Sequence, residues 1–444
     1  MNTPVYDFIE RYIRKNPVRA HMPGHKGKYI GECGFGEAYK YDITEIDGAD
    51  VLFEAEGIIA ESERNAASLF GTAATFYSAG GSTLCIQAML AAVCGKDRAF
   101  ICARNSHKSV MNSCVLLNLE PCWIYPEYVP GSAVSGEITP EAVEKAIQRY
   151  SENDPACVFV TSPDYLGRIA DIRGISEVCR KHGLPLLVDN AHGAYLAFLG
   201  ENLHPIHLGA DMCCDSAHKT LPVLTGGAYL HVKTEEYASR IKENMALFGS
   251  TSPSYLIMAS LDLCNKYLSE NFRTDLAEAS ERVKSLKERL SPVWNILPGE
   301  PMKLTVFALP GGLTGDQLAG QLRKNGVEPE YSDNSHAVMM FSASNPPEDF
   351  ERTASAMESV IMPRIRLELP EIEIGELHRA VTPREAFFSS KERIDVEDSV
   401  GRIAAEAVSV CPPCVPAAVP GEIIDEKAVK ILKKYGIFRI NVIK

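Results

Sequence analysis

Four short stretches of the chain carry side chains whose types and spacing suit catalysis. The first is Asp215-Ser216-Ala217-His218-Lys219-Thr220, directly after a short apolar run. An ammonium group is costly to bury at the end of such a run. Desolvation lowers the pKa of a lysine and leaves its amine nucleophilic toward carbonyl compounds. Ser216 and His218 flank Lys219 with donors suited to a phosphate. An exposed loop lysine also fits this hexapeptide taken alone. The second stretch is Leu186-Leu187-Val188-Asp189-Asn190-Ala191-His192-Gly193. An aspartate closing a buried strand either caps a turn or faces a cation. Beside a nucleophilic lysine one strand later, Asp189 suits the protonated nitrogen of a pyridine ring, a contact worth about 1–3 pKa units, or roughly 1.4–4 kcal/mol. Ala191 points to the same face of an extended segment and is small enough to lie under a flat ring.

The third stretch, Ser78-Ala79-Gly80-Gly81-Ser82-Thr83, is a glycine-rich turn opening onto a helix. Free N–H groups and the positive helix end favour an anion there. The dipole contributes only about 0.3–2 kcal/mol, so several further donors must share a phosphate. The Walker spacing of glycines, lysine and hydroxyl is absent. The fourth stretch, Arg104-Asn105-Ser106-His107-Lys108-Ser109, places a histidine after another apolar run. His107 is either a satisfied surface residue or a ring that stacks on an aromatic cofactor and moves protons near neutral pH.

The elements that must position these groups alternate. From 57 to about 268, helices over 61–70, 83–93, 141–150 and 175–182 interleave with strands over 75–78, 99–103, 157–161, 185–188, 212–215 and 227–232. That order predicts βαβ units and a mostly parallel sheet covered by helices, with ligands at the carboxyl ends of the strands. A short helix over 4–14 and a long glycine-rich loop come first, and a long amphipathic helix over 271–290 closes the region. Segments 304–309, 314–325, 338–342 and 348–360 read β-α-β-α, and 363–370 reads as a linker. Thr382-Pro383-Arg384-Glu385 opens a further helix, with threonine as cap and proline at the first position. A helix over 425–435 follows near the end of the chain. The expected division is an arm over 1–50, a large domain over 51–270, a small α/β domain over 271–362 and a C-terminal α+β piece over 363–444.

With 444 residues, 45% hydrophobic and 23% charged, the chain has the composition of a globular protein rather than of a disordered, collagenous or coiled-coil one. Its net charge of −13 and lack of a basic block argue against a nucleic-acid surface. The longest mainly apolar run, 84–94, is about half a membrane span and contains Gln87. Residues 1–14 lack a signal-peptide core, and thirteen cysteines, an odd number, are too few for a disulfide scaffold. Together these point to a reduced cytoplasmic enzyme. His21 and His25 are spaced like a zincin pair, but Pro23-Gly24 breaks the helix that would align them, so no metal site is assigned. Cys411-Pro412-Pro413-Cys414 lacks both a second cysteine pair and a redox context, and reads as a loop turn.

Jointly the four stretches resemble the Orn/Lys/Arg decarboxylase family, among the fold type I, aspartate-aminotransferase-like pyridoxal phosphate enzymes. The resemblance spans nearly the whole chain, through His21-Met22-Pro23-Gly24-His25-Lys26, Leu69-Phe70-Gly71, Ser106-His107-Lys108-Ser109, Asp189 to Gly193, Ser216 to Leu221, Ser250-Thr251-Ser252-Pro253, Thr382 to Ala386 and Pro420-Gly421-Glu422. It implies that Lys219 holds pyridoxal 5'-phosphate covalently, that Asp189 pairs with the ring nitrogen, and that His107 stacks on the ring with Ala191 beneath. It further implies that Ser82, Thr83, Ser216 and His218 hold the phosphate and that His192 belongs to the cofactor shell. Lys219, His107 and Asp189 are then the catalytic candidates. The implied reaction is α-decarboxylation of arginine, lysine or ornithine in a homodimer or higher oligomer with shared active sites. Another pyridoxal phosphate reaction and a silent regulatory relative are the alternatives on the same scaffold. Ser250-Thr251-Ser252 is expected to reach a neighbouring subunit's cofactor, and Glu422, Glu54 and Glu56 to stand near the substrate entrance. Asn190 departs from the family's usual Asp-Glu-Ala-His-Gly, and Cys411 to Cys414 depart from its Tyr-Pro-Pro-Gly.

Overall fold

The computed structural model describes residues 1–28, 35–128, 136–363, 367, 375–408 and 415–444. Its strands in chain order are β1 (Ala74–Ser78), β2 (Ala99–Ala103), β3 (Glu120–Ile124), β4 (Glu127–Tyr128), β5 (Gly136–Glu137), β6 (Val158–Thr161), β7 (Leu186–Asp189), β8 (Met212–Asp215), β9 (Ala228–Val232), β10 (Asn295–Ile296), β11 (Lys303–Phe307), β12 (Tyr331–Ser332), β13 (His336–Met340), β14 (Lys391–Asp395) and β15 (Arg439–Ile443). The chain divides into two compact units, Met1–Val93 with Leu187–Asp275, and Cys94–Leu186 with Leu276–Lys444.

In the first unit β7 and β8 are parallel, with Asp189 beside Cys214. β9 returns antiparallel to β8, and β1 pairs antiparallel with β9. The reversal follows from the connection: 216–227 holds only the one-turn helix Ala217–Thr220, too little for the helical crossover that usually joins parallel neighbours. Strands β7, β8 and β9 are buried throughout. Their apolar runs therefore lack alternation, as expected where both faces are covered. The helix Pro4–Lys15 is capped from afar, because its first-turn N–H groups at Val5 and Tyr6 donate to Asp262 Oδ2 at 2.9 and 3.0 Å. Asp262 also accepts from Ser62, and burial pushes its carboxyl up to about 6.

In the second unit β6, β2 and β3 form parallel pairs. The order β10-β11-β13-β12 makes a small antiparallel sheet, and β14 pairs with β15. The two helices predicted at 314–325 and from Thr382 begin at capping boxes, Thr314 with Gln317 and Thr382 with Glu385. The second occupies Pro383–Phe388, with proline in its first turn. All ten described cysteines are free thiols in the interior, and Cys94 and Cys157 lie 3.7 Å apart. Cys411 to Cys414 and most of the 363–370 linker lie outside the described residues.

Candidate active site

Lys219 sits on the one-turn helix Ala217–Thr220 that follows β8 after Ser216. Its Nζ is 3.0 Å from His192 Nε2. With the amine donating, Nε2 is the acceptor and the imidazole proton belongs on Nδ1. His192 is buried in the turn after β7, so this contact joins the ends of two neighbouring parallel strands.

Asp189 closes β7 and is 3% exposed. Its Oδ1 accepts from Ala191 N at 3.1 Å and from the Cys214 thiol at 3.7 Å. Among the described residues Oδ2 takes no hydrogen bond. A buried carboxylate with one oxygen uncommitted is unusual, and it fits a cationic N–H brought in by a ligand. Ala191 is buried beside it.

The glycine-rich turn opens the helix Gly81–Cys94. Gly81 has φ +67° and nothing within 4 Å of where a side chain would start, so the turn faces open space. Its N–H donates to Gly226 O at 2.8 Å. Ser216 Oγ donates to Ser82 Oγ at 2.8 Å, bringing together two hydroxyls that are 134 residues apart in sequence. Thr83 lies in the first turn of the same helix. His218 Nδ1 is held 2.9 Å from Gly227 O. The helix start and the two hydroxyls thus lie together as donors suited to an anion, and His218 adjoins Lys219 in sequence.

His107 lies in the second unit, as the cap of the helix Lys108–Leu117. Its Nδ1 accepts from Ser109 N at 3.2 Å and faces Ser109 Oγ at 2.8 Å, which fixes the ring. The other predicted site residues, Ser82, Thr83, Asp189, Ala191, His192, Ser216, His218 and Lys219, all belong to the first unit.

The acidic residues expected near an entrance differ in burial. Glu54 and Glu56 are exposed on a turn tied to Asp50, which accepts from the backbone N–H groups of Val51, Glu56, Gly57, Ile59 and Ala60. Glu422 corrects its expectation. It is 1% exposed, and both its oxygens are taken by the fully buried Arg104 at 2.6 and 2.7 Å. Val419 N also donates to it, at 2.9 Å. This carboxylate is neutralised inside the second unit and offers nothing to a substrate cation. Ser250, Thr251 and Ser252 are exposed, as a residue reaching a neighbour must be before assembly. Four residues that sequence reasoning missed, Asn190, His204, Asp215 and His231, form a buried cluster in the first unit. The only sequence signal was that Asn190 and Asp215 adjoin Asp189 and Ser216.

Comparison with known proteins agrees over the whole length. Residues 3–310 match the major domain of the Orn/Lys/Arg decarboxylases and residues 373–438 match their C-terminal domain. An arginine decarboxylase of Bacillus subtilis is 31% identical over 97% of this chain and 93% of its own length. One of Bacillus anthracis is 30% identical, over 97% and 92%. Among solved structures, the Francisella novicida lysine decarboxylase superposes with a TM-score of 0.85 at 17% identity, over 100% of this chain and 81% of that one.

Proposed function

The chain belongs to the Orn/Lys/Arg decarboxylase family and decarboxylates basic amino acids, and we propose that it does so with pyridoxal 5'-phosphate held at Lys219, with arginine as the preferred substrate. The family resemblance implies pyridoxal phosphate, and a structural neighbour of the same fold was solved with it. The observation that carries the cofactor reading is the buried Asp189 carboxylate, with Oδ2 uncommitted, on the strand next to the one that leads to Lys219. Arginine is favoured by the names of the full-length relatives.

When bound, pyridoxal phosphate supplies an electron sink for the pair left behind as carbon dioxide departs. Lys219 anchors it through Nζ, and His192 Nε2 stands ready to take a proton from that amine. Asp189 Oδ2 keeps a proton on the ring nitrogen. Ser82, Thr83, Ser216 and His218 hold the phosphate, and the small side chain of Ala191 leaves room for the ring. His107 keeps a cofactor-facing role on resemblance alone. Lys219 and His107 are both candidates to return a proton to Cα. The active form is a homodimer or higher oligomer, supported by the exposed polar stretch Ser250-Thr251-Ser252. Among the described residues no helix is long and apolar enough to cross a membrane, and the free buried thiols support a reducing, cytoplasmic setting.

The test is borohydride reduction of the purified, cofactor-loaded protein, followed by peptide mapping and by amine and CO₂ assays with arginine, lysine, ornithine and neutral amino acids. Label on Lys219 and release of the amine from arginine are expected. Label on another lysine overturns the site, and keto-acid formation overturns the reaction.

A further inference from the structure

Asp215 closes β8, immediately before the turn that carries Lys219, and its side chain is fully buried. His204 Nε2 and His231 Nε2 face its Oδ2 at 3.0 and 3.1 Å, and Asn190 Nδ2 donates to its Oδ1 at 2.6 Å. His231 lies on β9 and is held in turn by Thr75 of β1, whose Oγ1 is 2.9 Å from Nδ1. One carboxylate therefore ties together β8, β9, β1 and the residue that follows β7. Asn190 is itself confined: its Oδ1 lies 2.1 Å from where any side chain at Gly193 would begin. Burial pushes the Asp215 carboxyl up, but the two imidazoles outweigh this and hold it well below the usual carboxylate range.

The cluster has the residue types of a metal site. Two features favour hydrogen bonds instead. Both imidazole nitrogens lie at N–H···O distances from the same oxygen, and the second oxygen is already taken by the Asn190 amide. Asp189 and Asn190 are neighbours on an extended segment, so their side chains leave opposite faces, Asp189 toward Cys214 Sγ and Asn190 toward Asp215. Moving Asn190 thus moves Asp189, and moving Asp215 moves the turn to Lys219.

We propose that Asp215 is a positioning residue for the reaction, fixing through Asn190 and His231 the separation between the Asp189 carboxylate and the Lys219 amine. This rests on the cofactor reading above. A displacement of about 1 Å in a reacting group costs on the order of a hundredfold in rate. The two groups hold opposite ends of one ring, so their spacing governs both cofactor affinity and turnover.

The experiment compares the wild type with Asp215→Asn, which keeps the shape and loses the charge, and with Asn190→Ala, which breaks only the bond between the ends of β7 and β8. Each is measured for the dissociation constant of pyridoxal phosphate from the apo protein, for kcat and KM, for unfolding temperature and for bound metal. Asp215→Asn is expected to weaken cofactor binding and lower kcat, each by about 10- to 100-fold, with KM changed less than about threefold. Asn190→Ala moves both in the same direction by a smaller factor. If Asp215→Asn does not fold, Asn190→Ala decides. Variants that unfold earlier but match the wild type in cofactor affinity and kcat give Asp215 a merely structural role and overturn the proposal, as does near-stoichiometric metal in the wild type. If the wild type takes no borohydride label at Lys219, it is the cofactor reading that fails instead.

Discussion

Arg104 and Glu422, 318 residues apart in sequence, meet in a bidentate pair at 2.6 and 2.7 Å with essentially no solvent contact. The guanidinium also lies 4.7 Å from the ring centre of Trp123 and 5.6 Å from that of Tyr125. The pair pins the Pro420-Gly421-Glu422 segment to the residue that follows β2. Removing one partner strands the other charge in the interior, at a cost of about 3–5 kcal/mol. Glu422→Gln should therefore lower the unfolding free energy by that amount, and the urea midpoint with it, whereas a carboxylate that met only substrate would leave stability unchanged and raise KM. Equilibrium unfolding with and without arginine separates the two.

Asp189→Asn keeps the shape of the side chain and removes its charge. Losing about 1.4–4 kcal/mol of bias toward a protonated ring predicts a fall in turnover of about 10- to 1000-fold, with the fold intact by circular dichroism. A change below about threefold would contradict the electron-sink role.

Asp262 makes stability depend on pH. Burial raises its carboxyl from 3.8 to about 6 in the folded chain. The folded state thus holds a proton that the unfolded state has already released, so this group's stabilisation is complete below about 3.8 and is lost as pH rises through about 6. The swing is about 3 kcal/mol, at roughly 1.36 kcal/mol per pKa unit. Asp262→Asn, whose carbonyl can still accept from Val5 and Tyr6, should gain stability relative to the wild type between pH 4 and pH 7. Urea titrations at those two values check the sign, and a constant difference between the two proteins would contradict it.

Substrate choice is the sharpest test of specificity. A carboxylate facing a distal guanidinium in a closed site makes charge-assisted hydrogen bonds, and an aliphatic side chain of equal length leaves it buried and unpaired. Discrimination of arginine over norleucine should exceed about a hundredfold in kcat/KM. Equal CO₂ release from a basic and a neutral amino acid on one preparation would overturn the basic preference.

What could be read from sequence followed from locality. β2 and β8 occur at their expected bounds, because five or three consecutive apolar residues next to polar ones mark a buried strand. The placement of Asp189 at the close of β7 and of Lys219 after β8 is legible for the same reason. Asp215 reads only as the last residue of the strand over 212–215. Its partners stand at 190, 204 and 231, and nothing in the sequence spacing announces that they meet. The same holds for Glu422, which the resemblance sets near the substrate and whose partner Arg104 lies 318 residues away in sequence. β14, Lys-Glu-Arg-Ile-Asp, has the composition of a solvated segment, and it becomes a strand only through β15, more than forty residues later.

The interior thiols turn the protein into a gauge of its own opening. Ten cysteines spread over both units are shielded from solvent, and burial pushes those of Cys85 and Cys102 up to about 12. An alkylating reagent needs both access and a thiolate, and the folded chain denies it both at these positions. Each such cysteine can be modified only in molecules whose local structure has come apart. The rate at which each tagged peptide accumulates then ranks the surrounding elements by the free energy of exposing them. Cys213 and Cys214 would report on the strand that leads to Lys219, and Cys94 and Cys157 on the second unit and its boundary. A bound cofactor or substrate that tightens one region would slow its own cysteines while leaving the others at their former pace.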